Sequence, residues 1–188
     1  MNPASCRLWL PCVLSLAFLL PAAAQEPCLA CHGPDGNSTT PGVPSIAGQP
    51  STFLETQLVL IREELRPAPQ MLPIVKGMSD TEIVELAAHF SRLPARRVEA
   101  ARADEALIRI GMERAQSLRC GTCHLPDFSG QKQVPRLAGQ REDYLLPELR
   151  AYRDNRRQGG DTIMAAALYG VPDADLQALA HFLSHTSP

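Results

Sequence analysis

The chain has 188 residues, 45% of them hydrophobic, which is enough apolar material for a packed core, and 18 basic side chains set against 20 acidic ones give a formal net charge of −2. That balance excludes a strongly basic nucleic-acid-binding surface and leaves room for charge-oriented, transient contacts with other proteins. Residues 25–96 carry 5 basic and 8 acidic side chains and residues 97–188 carry 12 of each, so the polarity between the two halves is modest.

Residues 1–24 read as an export segment. Arg7 makes a weakly basic start, Leu8 to Leu20 an apolar stretch, and Ala22-Ala23-Ala24 a small-residue exit suited to cleavage before Gln25. The apolar run is too short, and too interrupted by Pro11, to span a bilayer. The expectation is therefore a periplasmic protein that meets a membrane only through partner complexes. Cys12 raises a lipid-attachment reading, which the preceding Leu10-Pro11 disfavours.

Cys28-Leu29-Ala30-Cys31-His32 follows directly, and Cys120-Gly121-Thr122-Cys123-His124 repeats it. This is the attachment pattern of c-type haem. Two thiols three residues apart project from one side of a helical turn, where each can form a thioether with the same porphyrin, and the following imidazole is placed to reach the iron. A zinc site would not need a His after each Cys pair, and a redox dithiol expects a βαβ context that is missing here. Two covalently bound haem c groups are expected, on Cys28, Cys31, His32 and on Cys120, Cys123, His124.

Further along, the long periodic segments read as helix. Thr52 to Glu55 and Ser79 to Glu82 each fit a capping box, followed by apolar stripes at Leu58, Ile61 and Leu65 and at Ile83, Leu86, Ala87 and Phe90. A helix from about Val98 leads into the second motif and ends near Leu118; the first motif has no such leader after cleavage. Tyr144 to Tyr152 and Asp173 to Leu183 match the two earlier helices. Pro- and Gly-rich loops separate them and nothing alternates like a strand, so the fold class is all-α.

These matches extend to a tandem duplication. Val43-Pro44-Ser45-Ile46-Ala47-Gly48-Gln49 recurs as Val134-Pro135-Arg136-Leu137-Ala138-Gly139-Gln140, and Met71 recurs as Met164, at offsets close to the 92 residues between Cys28 and Cys120. Two tandem helical domains, each around one covalent haem, are expected at 25–95 and 96–188.

The fifth iron ligands are then His32 and His124. For the sixth, Met71 and Met164 lie 39 and 40 residues after those histidines, a match not shared by Met78, which reads as apolar packing, or Met112, which reads as core. His89 and His181 offer bis-His ligation in principle but read as surface or helix-end residues, and His185 is a further candidate. Arg66 and Arg157 occupy corresponding places before the Met loops, each suited either to a haem propionate or to a solvated helix end. Arg150, Arg153, Arg156 and Arg157 form a basic stretch readable as a docking face or as a solvated helical face.

With Cys-His-Gly-Pro-Asp-Gly-Asn-Ser at Cys31 to Ser38, the two Pro-x-x-Ala-Gly-Gln segments, and the Ser-Asp or Pro-Asp start of each last helix, the chain resembles the periplasmic dihaem cytochromes of the cytochrome c-four type. The resemblance implies two cytochrome c folds, His/Met ligation and electron delivery toward a respiratory oxidase. Leu125 stands where that pattern has Gly. The leading expectation is a non-enzymatic electron carrier between redox partners such as a quinol-cytochrome c reductase, a dehydrogenase or a terminal oxidase. The alternatives are a cytochrome subunit of an oxidoreductase complex, a dihaem peroxidase-like enzyme, and a haem-based sensor, of which the enzyme and the gas sensor need an open sixth position.

Overall fold

The computed structural model describes residues 25–97 and 102–188. The expected export segment and the first residues of the helix expected from Val98 lie outside the described residues. The first module consists of α1 (Glu26–His32), α2 (Ser51–Arg62), α3 (Leu72–Val75) and α4 (Asp80–Arg92). The second repeats that order as α6 (Gly121–His124), α7 (Glu142–Arg153), α8 (Thr162–Leu168) and α9 (Asp173–His185), preceded by α5 (Glu105–Ser117). Among the described residues the extended pairing amounts to one isolated bridge, Gln131 with Val134. The all-α expectation holds.

Local chemistry sets the helix ends. Ser79 forms the expected capping box: its hydroxyl accepts from the Glu82 N–H and the Glu82 carboxylate accepts from the Ser79 N–H. The box expected at Thr52 does not form. Pro50 ends the loop, α2 begins at Ser51, and Glu55 instead accepts from the Ser51 hydroxyl at 2.6 Å. The helix expected from Val98 begins at Glu105, because the Asp104 carboxylate accepts from the N–H groups of Ala106 and Leu107 and so caps it there. Leu65, expected on the apolar stripe of α2, is exposed: the helix has ended at Arg62 and the chain turns at Glu64, whose φ is 59°.

Each module buries its last helix against its second one, and the burial is unequal. In α4 the four expected residues Ile83, Leu86, Ala87 and Phe90 are buried, whereas α9 buries seven, including His181 and Ser184. The difference comes from α5, which lies across α9 at Gly111. A Cβ on Gly111 would stand 2.1 Å from the Ala178 carbonyl oxygen, so glycine permits the close crossing. Met112, expected in the core, is 41% exposed, because the inward face of α5 belongs to Gly111 and Ala115.

Candidate haem sites

Cys28, Cys31 and His32 lie on α1, and Cys120 opens α6, which carries Cys123 and His124. In both modules the first thiol faces inward, the second is exposed, and the imidazole is buried, His32 at 6% and His124 at 7% exposure. Burial pushes the Cys28 and Cys120 thiols up and both imidazoles down. The histidines are thereby held neutral, the form that ligates a metal.

The orientation of each imidazole is set by the duplicated loop. Nδ1 of His32 donates to the Pro44 carbonyl and Nδ1 of His124 to the Pro135 carbonyl, both at 2.8 Å. With the proton committed to Nδ1, the lone pair remains on Nε2, where an axial ligand needs it. Nothing in the spacing of the motif announced this role for the prolines; the signal available was their recurrence at nearly equal distances, 12 and 11 residues, after the two histidines.

The residue after each His differs in kind but not in conformation. Gly33 has φ 86° and ψ 157°, and a Cβ there would lie 2.5 Å from the Asn37 carbonyl oxygen. Leu125 has φ 68° and ψ 157°, a region that only glycine enters without strain.

Met71 immediately precedes α3 and Met164 sits in the first turn of α8; both are half-buried, and Met164 packs against the second core. Met78 packs against the first core, as expected. His181, expected near the surface, is buried: its Nδ1 meets the Glu142 carboxylate at 2.9 Å and its Nε2 accepts from the Asp104 N–H at 3.0 Å. Although ligating atoms of Glu142, His181 and His185 fall within 4.8 Å of one another, both ring nitrogens of His181 are committed to the fold.

Arg66 and Arg157, equivalent in the repeat, are brought together between the modules. Both donate to Gln57 Oε1, at 2.8 and 3.4 Å, and both flank Glu148; Arg157 Nε bonds that carboxylate directly and Arg66 Nη2 is 3.8 Å away. Arg66 Nη2 also donates to the Tyr144 hydroxyl at 3.3 Å. The neighbouring basic stretch is neutralised within the fold. Arg150 makes a two-pronged bond to Asp173, while Arg153 and Arg156 meet Asp154 and hold its carboxyl down to about 2.

The two Pro-x-x-Ala-Gly-Gln loops face each other. Gln49 bonds the backbone of Arg136 and Gln140 bonds the backbone of Ser45, each through both ends of its amide. Arg136 itself is 3% exposed. Its Nη2 donates to the Ala47 carbonyl at 2.9 Å and its Nη1 to the Ala138 carbonyl, while Nε is buried with no partner. Among the described residues its hydrogen-bond partners are carbonyls and not carboxylates, and burial pushes its pKa down to about 10. An orphaned buried donor, two neutral imidazoles with free Nε2 and two pairs of unbridged thiols form a donor set that fits two haem c groups with anionic propionates.

A helical module of this kind, duplicated in one chain, defines a dihaem c-type cytochrome that carries covalent haem c and transfers electrons. A sequence profile of the cytochrome c family matches residues 111–187. Cytochrome c4 of Thiocapsa roseopersicina is 33% identical over 174 residues, which cover 88% of this chain and 90% of that protein. A thiosulfate dehydrogenase electron acceptor of Thiomonas intermedia is 30% identical over 180 residues, covering 90% of this chain and 82% of that one. The crystal structure of reduced recombinant cytochrome c4 from Pseudomonas stutzeri superposes with a TM-score of 0.77 at 30% identity, over 87% of this chain and 97% of that one. The chain belongs to the cytochrome c4 family.

Proposed function

We propose that this chain is a periplasmic electron shuttle with His32 and Met71 on one iron and His124 and Met164 on the other, in domains spanning residues 25–95 and 96–188. The observation that carries this reading is the matched setting of the two imidazoles, each tied through Nδ1 to a proline carbonyl at 2.8 Å with Nε2 left for a metal. Bound through Cys28 and Cys31 and through Cys120 and Cys123, each haem supplies a one-electron ferric/ferrous couple. The chain's own groups set its terms. Met71 and Met164 would hold the two irons from the side opposite the histidines, where a thioether would favour the ferrous state. Arg66 and Arg157 offer guanidinium groups to propionates in competition with Glu148.

A dehydrogenase is the donor best supported, since a relative alike over most of the chain is named as the electron acceptor of thiosulfate dehydrogenase. A quinol-cytochrome c reductase and a terminal oxidase are the corresponding partners within a respiratory chain. Among the described residues no helix is long and apolar enough to cross a membrane. The test is to mature the chain with its haems, recover it from the periplasmic fraction, and mix it with a thiosulfate dehydrogenase turning over thiosulfate. Both haems should be reduced only when the dehydrogenase is present. Reduction by thiosulfate with the chain alone overturns the shuttle reading, as does recovery of a haem-free polypeptide.

A further inference from the structure

Among the described residues Arg136 is the one arginine or lysine whose side chain is buried. Other arginines held by the fold meet carboxylates: Arg150 meets Asp173, Arg153 meets Asp154, Arg157 meets Glu148. Arg136 meets two neutral carbonyls and leaves Nε unbonded. A desolvated guanidinium is tolerated in a fold when an anion faces it, and two carbonyl dipoles do not replace that anion. A bound haem c would bring its own anions to the fold, the two propionates.

The placement of the guanidinium is as informative as its burial. Arg136 directly follows Pro135, whose carbonyl fixes His124, and its Nη2 reaches Ala47, three residues beyond the Pro44 that fixes His32. Its two Nη groups bond carbonyls that are equivalent in the repeat, Ala47 and Ala138, so the charge sits between the two proximal loops rather than within either. The equivalent position in the first module is Ser45, so the cation is present once. Arg66 and Arg157, by contrast, already share Glu148.

We propose that Arg136 is a counter-charge to haem propionate in the seam between the modules, and that this single cation raises the reduction potentials of both haems. The proposal rests on the dihaem reading but not on the identity of the sixth ligands. A positive charge in a desolvated seam disfavours the extra positive charge of ferric iron, and in a low-dielectric setting that influence reaches both sites.

The test is spectroelectrochemical titration of the holoprotein and of its R136Q and R136K variants. In R136Q both midpoint potentials should fall, each reduction equilibrium constant by about threefold or more, and R136K should keep most of the wild-type values. The ferric charge-transfer band, read in the same samples, should not change, which separates loss of the counter-charge from loss of an axial ligand. Unchanged potentials in R136Q, or a fall confined to one haem, overturn the proposal even if the melting temperature drops. Should R136Q fail to mature, resonance Raman of the propionate bending modes in wild type and R136K decides. A shift is expected when an ammonium replaces the guanidinium, and identical bands overturn the proposal.

Discussion

Gln49 closes on the backbone of Arg136 from both sides, its Nε2 donating to the Arg136 carbonyl at 3.0 Å and its Oε1 accepting the Arg136 N–H at 2.9 Å. Gln140 does the same to Ser45, at 2.9 and 2.8 Å. A side-chain amide carries one donor group and one acceptor, like a peptide, so a single residue satisfies a buried backbone unit that would otherwise be left dry. The peptides so gripped adjoin Pro44 and Pro135, whose carbonyls orient the His32 and His124 imidazoles.

Replacing Gln49 or Gln140 by Ala removes two buried hydrogen bonds and orphans an N–H and a C=O; Gln140 also loses the Arg141 N–H that its Oε1 accepts at 3.0 Å. Each variant should lose about 2–4 kcal/mol of stability in denaturant titration of the holoprotein. A loss under about 0.5 kcal/mol would show that water replaces the glutamine without cost.

Removing a sixth ligand should have a spectral signature. Met71→Ala and Met164→Ala should each abolish about half of the red charge-transfer band of the ferric protein and lower one reduction potential, because the thioether stabilises ferrous iron better than a replacement water. If Met78→Ala has this effect and Met71→Ala does not, the ligand assignment is wrong. The same titrations assign each potential to its module. The haem at His32 is expected to be the lower of the two, since α4 buries four residues where α9, covered by α5, buries seven.

Leu125 holds a backbone conformation suited to glycine, at a cost on the order of 1–3 kcal/mol. Leu125→Gly should therefore raise stability by about 1 kcal/mol, the remainder going to the greater freedom of glycine in the unfolded chain. Gly33→Ala should do the opposite, since its Cβ meets the Asn37 carbonyl oxygen at 2.5 Å. Thermal melts of both variants check the pair; a less stable Leu125→Gly would mean that the half-buried leucine side chain contributes more than the strain removes.

Acid should weaken the anchor of α9. Arg150 first, then Gln177, hold the Asp173 carboxyl well below the usual carboxylate range. A carboxyl with a depressed folded value contributes stability above its unfolded pKa of about 4 and loses it as pH falls toward the folded value. The melting-temperature gap between wild type and Asp173→Asn should be widest near neutrality and narrow steadily below about pH 4. A gap that stays constant down to pH 2 would assign the effect of Asp173 to something other than its charge.

The haem c cofactor, the duplication and the all-α class were legible because they depend on short spacings and on local periodicity. Ser79 was readable as a cap for the same reason, whereas the Thr52 box was not formed because Pro50 and Ser51 moved the start of the helix. What escaped depended on contacts between distant residues. His181 looks like a helix-end residue until the N-terminus of α5 closes over it at Asp104, and Met112 looks like core until Gly111 and Ala115 take the inner face. The basic run near Arg150 reads equally as a docking face or a solvated helical face until Asp173, some twenty residues on, is seen to pair with it. Arg136 lies in a loop segment where an arginine looks solvated, and its burial exists only because the other module's loop lies against it.

The reciprocity of Gln49 and Gln140 has the logic of a homodimer written into one polypeptide. In a two-fold dimer a residue of one subunit meets its partner's counterpart and the same contact recurs in reverse, which is the relation of Gln49 to Arg136 and of Gln140 to Ser45. Joining the two copies makes their association independent of protein concentration, because a short tether imposes an effective concentration in the millimolar range. It also frees the copies to diverge: a symmetric dimer must place an arginine at both equivalent positions or at neither, while the fused chain keeps Ser45 on one side and Arg136 on the other.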